Sequence, residues 1–176
     1  MAKKLKVGVI GAGMIARWAH FKGYAALPDD VEVVAICDLK PEAREAAKKE
    51  WGFDARLYED YRELLADKEI DAVSVSTPNA AHCEPTILAL QSGKHVLCEK
   101  PLAMNAEEGK RMCRAAKDSG KILQVGLQNR LLALSQFMKK YLDHGHMGEI
   151  YYARARALRR RGVPGWGVFT DKVKQG

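Results

Sequence analysis

Residues 5–16 run Leu5-Lys6-Val7-Gly8-Val9-Ile10-Gly11-Ala12-Gly13-Met14-Ile15-Ala16. The first six form a short, largely apolar run of strand length, and the pattern Gly-x-Gly-x-x-Ala falls where that strand ends. Met14 to Leu27 then reads as a helix, so the glycines stand at a strand-to-helix junction. The start of such a helix presents N–H groups without intrahelical partners and the positive end of its dipole, both suited to an anion. Gly11 permits the tight turn, Gly13 lets the backbone approach a pyrophosphate, and Ala16 keeps the helix close to the sheet. Gly11, Gly13, Met14 and Ile15 are therefore the loop residues expected beside a cofactor's phosphates. A glycine pattern alone is weak evidence, but a second strand, Val31 to Cys37, ends at Asp38, 22 residues past Ala16. An acid there can hydrogen-bond both hydroxyls of an adenosine ribose. The competing interpretation is a tight turn with a solvated aspartate; the two features in register favour a nucleotide. Asp38 also repels a 2′-phosphate, which favours NAD over NADP, although the cation of Lys40 offsets part of that repulsion.

Outward from this junction, short apolar runs alternate with helical stretches. Glu42 to Trp51 reads as a helix opened by Pro41, Ala55 to Tyr58 as a strand, Glu59 to Ala66 as a helix and Asp71 to Ser76 as a β-branched strand. The next helix carries Ile87, Leu88 and Leu90 and stops at Gly93; His95 to Cys98 is a strand. Asn105 with Glu108 three residues on resembles a capping box that opens a helix to Gly120, and Ile122 to Val125 is the last strand. Six strands joined by helical crossovers predict an α/β fold, a Rossmann-type doubly wound parallel sheet over residues 1–128. From 129 to 176 the rhythm changes to a longer helix, Leu131 to Asp143, a Gly-rich turn and an expected strand, Glu149 to Leu158. In that strand Tyr152, Arg154 and Arg156 would share one face. A lone helix and strand cannot bury a core, so this part reads as the incomplete start of an α+β second domain.

With 176 residues, the chain has room for one domain and part of another. Hydrophobic residues at 47% and charged residues at 29% support a buried core and argue against disorder. The net charge of +7 invites a nucleic-acid interpretation, yet residues 1–130 hold 20 Lys+Arg against 19 Asp+Glu, whereas residues 131–176 hold 9 against 3. The excess is a property of the last quarter. No run approaches the roughly 18 apolar residues of a membrane-spanning helix, and the basic start lacks a cleavable leader pattern, so a cytoplasmic protein without membrane contact is expected. Cys37, Cys83, Cys98 and Cys113 form no Cys-x-x-Cys pair and are expected as reduced thiols. His144 and His146 lack a third ligand nearby, and no metal is expected.

Thr77-Pro78-Asn79-Ala80-Ala81-His82 follows the fourth strand and Glu99-Lys100-Pro101 the fifth, at the edge where an open α/β sheet binds ligands. With the Gly11–Ala16 loop, Asp38, Gly93 to Pro101 and Gly126 to Arg130, the chain resembles the Gfo/Idh/MocA oxidoreductases, the glucose-fructose oxidoreductase and inositol dehydrogenase family. The Glu-Lys-Pro turn is the more specific part of the match. The resemblance implies NAD-dependent hydride transfer at a secondary alcohol of a sugar or polyol, with Lys100 as a catalytic residue. It implies that Thr77, Pro78, Asn79, His82, Glu99 and Gln128 lie on the cofactor side, and that the protein assembles as a homo-oligomer. For His82 the residues alone leave open a solvent-facing histidine at a helix start.

Members of the family continue with a Gly-Gly-Gly segment leading to an Asp and a proton-accepting His, followed by the sheet that shapes the substrate pocket. This chain ends at Gly176, about where that segment begins, so it is expected to be the cofactor-binding part and not to turn over substrate alone. A non-catalytic NAD-binding sensor or scaffold is the competing reading. Arg154, Arg156, Arg159, Arg160 and Arg161 come without aromatic stacking residues or a recognition helix, so an interface or solvated face is expected and not nucleic acid.

Overall fold

Strand β1 (Leu5–Ile10) lies in the middle of a six-stranded sheet because both of its edges are used. It pairs in parallel with β2 (Val31–Cys37) on one side and with β4 (Ala72–Val75) on the other. The order is β3-β2-β1-β4-β5-β6, with β3 (Arg56–Tyr58), β5 (His95–Cys98) and β6 (Leu123–Val125) also parallel to their neighbours. This is the doubly wound arrangement expected from the sequence, in which the strand order reverses beside β1. In the computed structural model, residues 3–158, 160, 162 and 171–175 are described. The chain divides into two compact units, one of Met1–Gly126 with Val168–Gly176 and the other of Leu127–Gly167.

Both faces of the sheet are covered, which is why its strands are nearly continuous apolar runs. One face packs Val7, Val9, Val33 and Ile36 against Ala16, Phe21 and Ala47. The other packs Val34, Val73, Val75 and Val96 against Leu64, Leu90 and Met112. The register between β1 and β2 slips by one residue between Val7 and Gly8. That bulge lets Val34 and Ala35, adjacent in sequence, both join the second cluster.

Helices follow the strands as the sequence patterns require. A π-helical stretch, Ala16–Phe21, runs into α1 (Lys22–Ala25). Helix α2 (Pro41–Trp51) starts on its proline, and Asp60 caps α3 (Tyr61–Ala66) by accepting from the Arg62 N–H. A 3-10 turn at Asn79–Ala81 precedes α4 (Cys83–Gln91), and Asn105 caps α5 (Ala106–Ser119). The capping box forms with one change: the Glu108 N–H donates to Asn105 Oδ1 at 2.9 Å, while the Glu108 carboxylate accepts from the Met104 N–H at 3.1 Å. The reciprocal bond therefore reaches one residue further back than the usual pattern.

The second unit departs from expectation. It opens with a 3-10 turn, Gln128–Leu131, and α6 (Ala133–Asp143), whose Leu134, Phe137 and Met138 are exposed. The expected strand from Glu149 to Leu158 is absent: residues 150–158 take no regular structure and are exposed throughout. Alternation of side chains does not make a strand without a neighbour to accept its backbone hydrogen bonds. Arg154 and Arg156 are exposed; Arg159 and Arg161 lie outside the described residues. In the first unit, α7 (Lys172–Gln175) lies near the turn at Asn79–Ala81. Among the described residues, no helix is long and apolar enough to cross a membrane.

The turn after β1 has no room for a side chain at Gly11. Gly11 has φ +93°, and a Cβ there would lie 2.8 Å from both the carbonyl carbon and the oxygen of Ser76. Gly11→Ala is expected to lower stability by about 1–3 kcal/mol from backbone conformation alone, with the Ser76 clash adding to it, read as a lowered urea midpoint. Asn105→Ala should cost about 1 kcal/mol through the lost cap; an unchanged midpoint would show that the α5 start is held by packing instead.

Candidate functional site

Strands β1, β2, β4 and β5 all deliver their carboxyl ends to one edge, and the residues singled out in the sequence from Gly11 to Glu99 gather there. The edge is stitched together across strands. The Gly11 N–H donates to Cys37 O at 2.8 Å, the Ser76 N–H to Ile10 O at 2.8 Å, and the Ser76 hydroxyl to Gly11 O at 2.8 Å. The glycine turn is thus gripped by the ends of both neighbouring strands.

Asp38 is half-buried and tied to the same turn. Its Oδ2 accepts from the Ala12 N–H at 2.8 Å and its Oδ1 from the Lys40 N–H at 2.9 Å. Arg44 secures the aspartate's backbone by donating to Asp38 O at 2.7 Å. Each carboxylate oxygen still has acceptor capacity for a hydroxyl. A Cβ on Gly13 would meet nothing within 4 Å, so the space beside the turn is open where a phosphate would approach. Met14 and Ile15 lie in the first helical turn behind it. An aspartate anchored with its acceptors beside a glycine turn, open space over Gly13 and a following helix start together fit the adenosine and pyrophosphate of a dinucleotide.

Two loops form the other half of the edge. Thr77 donates its hydroxyl to Ala81 O at 2.9 Å, closing the loop that holds exposed Pro78 and half-buried Asn79. His82 is almost fully buried at 1% exposure, so it is not a solvent-facing helix-start histidine. Its Nδ1 lies 2.8 Å from Pro101 O and its Nε2 2.9 Å from Thr77 O, which makes the ring a strap between the loops after β4 and β5. Glu99 turns inward: Oε1 lies 3.0 Å from His20 Nε2, and Oε2 accepts from the Lys100 N–H at 3.1 Å. Burial alone would raise the Glu99 carboxyl, but the hydrogen bonds from His20 and Lys100, with their charges, bring it below its ordinary value. The Lys100–Pro101 peptide is cis, and the Lys100 side chain is exposed at the edge. Gln128 belongs to the second unit, where it is exposed at the start of the 3-10 turn.

His20 escaped the sequence reading. It is buried and joins Glu99 to Ser74, whose Oγ lies 3.1 Å from His20 Nδ1. A signal was present: Ala16, His20 and Tyr24 recur at four-residue spacing on the stripe that a helix must turn toward the sheet, where a histidine has to find partners.

Elsewhere, a recess of about 700 Å³ opens at the opposite, amino-terminal edge of the sheet, lined in part by Lys3, Lys68, Lys94 and Lys121. Lys94 donates to Asp67 O at 2.6 Å and Ile70 O at 3.1 Å, and Lys3 pairs with Asp71 at 3.2 Å. Two of these lysines have structural partners, and none of the carboxyl-edge groups reaches this recess. Among the described residues, no group of three or more His, Cys, Asp or Glu side chains could hold a metal ion.

Known proteins match this arrangement. The family described as "Oxidoreductase family, NAD-binding Rossmann fold" matches residues 5–127. The D-glucoside 3-dehydrogenase of Escherichia coli K12 is 42% identical over 172 residues, covering 98% of this chain and 48% of that protein. An inositol 2-dehydrogenase of Salmonella typhimurium LT2 is 34% identical, covering 91% of this chain and 48% of its own length. Among solved structures, the WlbA dehydrogenase of Bordetella pertussis in complex with NADH and UDP-GlcNAcA superposes with a TM-score of 0.79 at 38% identity, over 85% of this chain and 45% of that one. The chain spans about half the length of the curated relatives it matches. A family match that runs from the first strand past the last, on a sheet edge built as that match requires, means that the chain belongs to the Gfo/Idh/MocA oxidoreductase family.

Proposed function

We propose that this chain is the cofactor-binding part of an NAD-dependent oxidoreductase that moves a hydride between nicotinamide and a secondary alcohol of a sugar or polyol. The observation that carries the reading is the Asp38 carboxylate held at 2.8 Å on the Ala12 N–H, which sets an acid with free acceptor capacity against the glycine turn. Gly11, Gly13, Met14 and Ile15 would take the pyrophosphate, Asp38 the adenosine ribose, and the Thr77, Pro78 and Asn79 loop the nicotinamide end. His82 and Glu99 act from behind, by holding the two loops and the Lys100 backbone. Gln128 is assigned to the cofactor side by family resemblance.

When bound, the nicotinamide supplies a two-electron acceptor for hydride. This chain's task is the proton. As an alcohol becomes a carbonyl, its hydroxyl must lose a proton while the carbon gives up hydride, and the Lys100 amine at the carboxyl edge would accept that proton or hydrogen-bond the departing oxygen. The relatives are about twice as long as this chain, and turnover is proposed for the whole-length arrangement, with further proton-handling residues supplied beyond the stretch described here. NAD is favoured because Asp38 would face a 2′-phosphate with like charge. A cytoplasmic location and assembly as a homo-oligomer complete the proposal; the first follows from cysteines expected as reduced thiols, the second from the family resemblance.

Calorimetry on this chain should find NAD binding and weaker NADP binding. Asp38→Ala should reduce NAD affinity by about 10- to 100-fold through the lost charge-assisted hydrogen bonds, with a smaller loss for NADP; equal losses would remove the ribose role. Mixed with NAD and inositol or glucose-type substrates, the chain alone should yield no NADH, whereas steady NADH formation would place the complete proton-handling apparatus within these residues.

A further inference from the structure

The groups behind Glu99 form a continuous chain of hydrogen bonds. Tyr24 Oη meets Ser74 Oγ, Ser74 Oγ lies 3.1 Å from His20 Nδ1, and His20 Nε2 lies 3.0 Å from Glu99 Oε1. Burial raises the Tyr24 phenol above its ordinary value, so the chain begins with an O–H donor. It ends on a carboxyl lowered from its ordinary value, which in its ionised form only accepts. An ionised carboxylate has no proton to give, so the contact between His20 and Glu99 is an Nε2–H donated to Oε1. Ser74 and His20 are buried at 0% and 8% exposure, so water does not substitute for these partners.

The geometry leaves Glu99 little freedom. Besides His20, its carboxylate holds the Lys100 N–H, and it passes so near Gly126 that a Cβ there would lie 3.0 Å from Oε1. His20 reaches its contact with Glu99 from the π-helical stretch Ala16–Phe21. Within it His20 and Phe21 are both buried, the imidazole meeting Glu99 while Phe21 enters the core. His20 itself does not reach the open side of the sheet edge where Lys100 is exposed.

We infer that His20 is a positioning residue for the Glu99-Lys100-Pro101 turn. By fixing Glu99 inward as an ionised acceptor, it sets the backbone of Lys100, and with it the place and the electrostatic surroundings of the Lys100 amine. The inference rests on the proposed function in one respect only: the positioned amine matters because Lys100 faces the nicotinamide end and the substrate. Without His20, a buried carboxylate loses its strongest side-chain donor and must turn outward or take up a proton. Either change reaches Lys100 and leaves the adenosine end at Gly11 and Asp38 untouched.

The test compares His20→Leu, which removes the donor, with His20→Gln, whose amide can still donate to Glu99, and Ser74→Ala, which removes the ring's other anchor. Lysines are reductively methylated with 13C-formaldehyde, and the Lys100 signal is assigned by its loss in Lys100→Arg. Without any nucleotide, His20→Leu should shift the Lys100 signal and its titration midpoint, Ser74→Ala should do so less, and His20→Gln should stay near the parent. With nucleotide, His20→Leu should weaken NAD by about tenfold and change AMP affinity by less than about twofold, with His20→Gln restoring NAD. An unmoved Lys100 signal in His20→Leu overturns the inference, as does an equal loss of AMP and NAD affinity, which a merely structural role would give. If the parent chain binds no NAD, the proposed function falls, while the nucleotide-free Lys100 signal still decides the role of His20. Should His20→Leu fail to fold, Ser74→Ala decides on the same signal.

Discussion

The close approach of Gly11 to Ser76 is the constraint from which the rest of the site follows. Two backbones meet at the end of β1 with no room for a Cβ, and the Ser76 hydroxyl caps the Gly11 carbonyl from the neighbouring strand. Because the turn is tight, the helix behind it begins at once, close to the sheet, and Ala16 enters the core at 0% exposure. The same tightness brings the Ala12 N–H within 2.8 Å of Asp38, one strand over. A looser turn would still connect a strand to a helix. It would not couple the glycine turn to the Asp38 carboxylate.

A central parallel strand makes this coupling cheap. Parallel neighbours deliver all their carboxyl ends to one edge, so residues far apart in sequence meet without special loops. Glu99 and His20 are 79 residues apart and are joined at 3.0 Å. Both faces of the sheet are filled, one around Phe21 and the other around Leu64 and Leu90, so the strand ends are held rigidly from behind. A carboxylate, an imidazole and two hydroxyls beneath the edge are then retained by mutual hydrogen bonding, since each would be costly there alone.

Much of this was legible because it was local. The glycine turn, the acid at the end of β2, the six strands and the α5 cap were each written in neighbouring residues, and each formed. What sequence could not supply was anything dependent on a distant partner. His20 was not singled out from the sequence, because only the fold brings Ser74 and Glu99 to it. His82 could be placed at a strand-end loop, but that both its nitrogens face carbonyl oxygens follows from the path of the Pro101 loop. The missing strand after Glu149 is the same lesson reversed: alternation at Tyr152, Arg154 and Arg156 satisfied the local rule, and no neighbour among the described residues completed the ladder. The capping box shifted by one residue for a smaller reason, the Glu108 side chain reaching the Met104 amide.

The imidazole of His82 has a mechanical consequence. Because one ring spans 2.8 Å to Pro101 O and 2.9 Å to Thr77 O, the loops after β4 and β5 are not separate flaps. A carbonyl oxygen only accepts, so each contact is a hydrogen bond only while the facing ring nitrogen carries its proton. Lifting either loop would uncover an almost fully buried ring and strip the opposite loop of its tie. Opening the edge at either loop therefore disrupts contacts of both, instead of being set by that loop's own sequence.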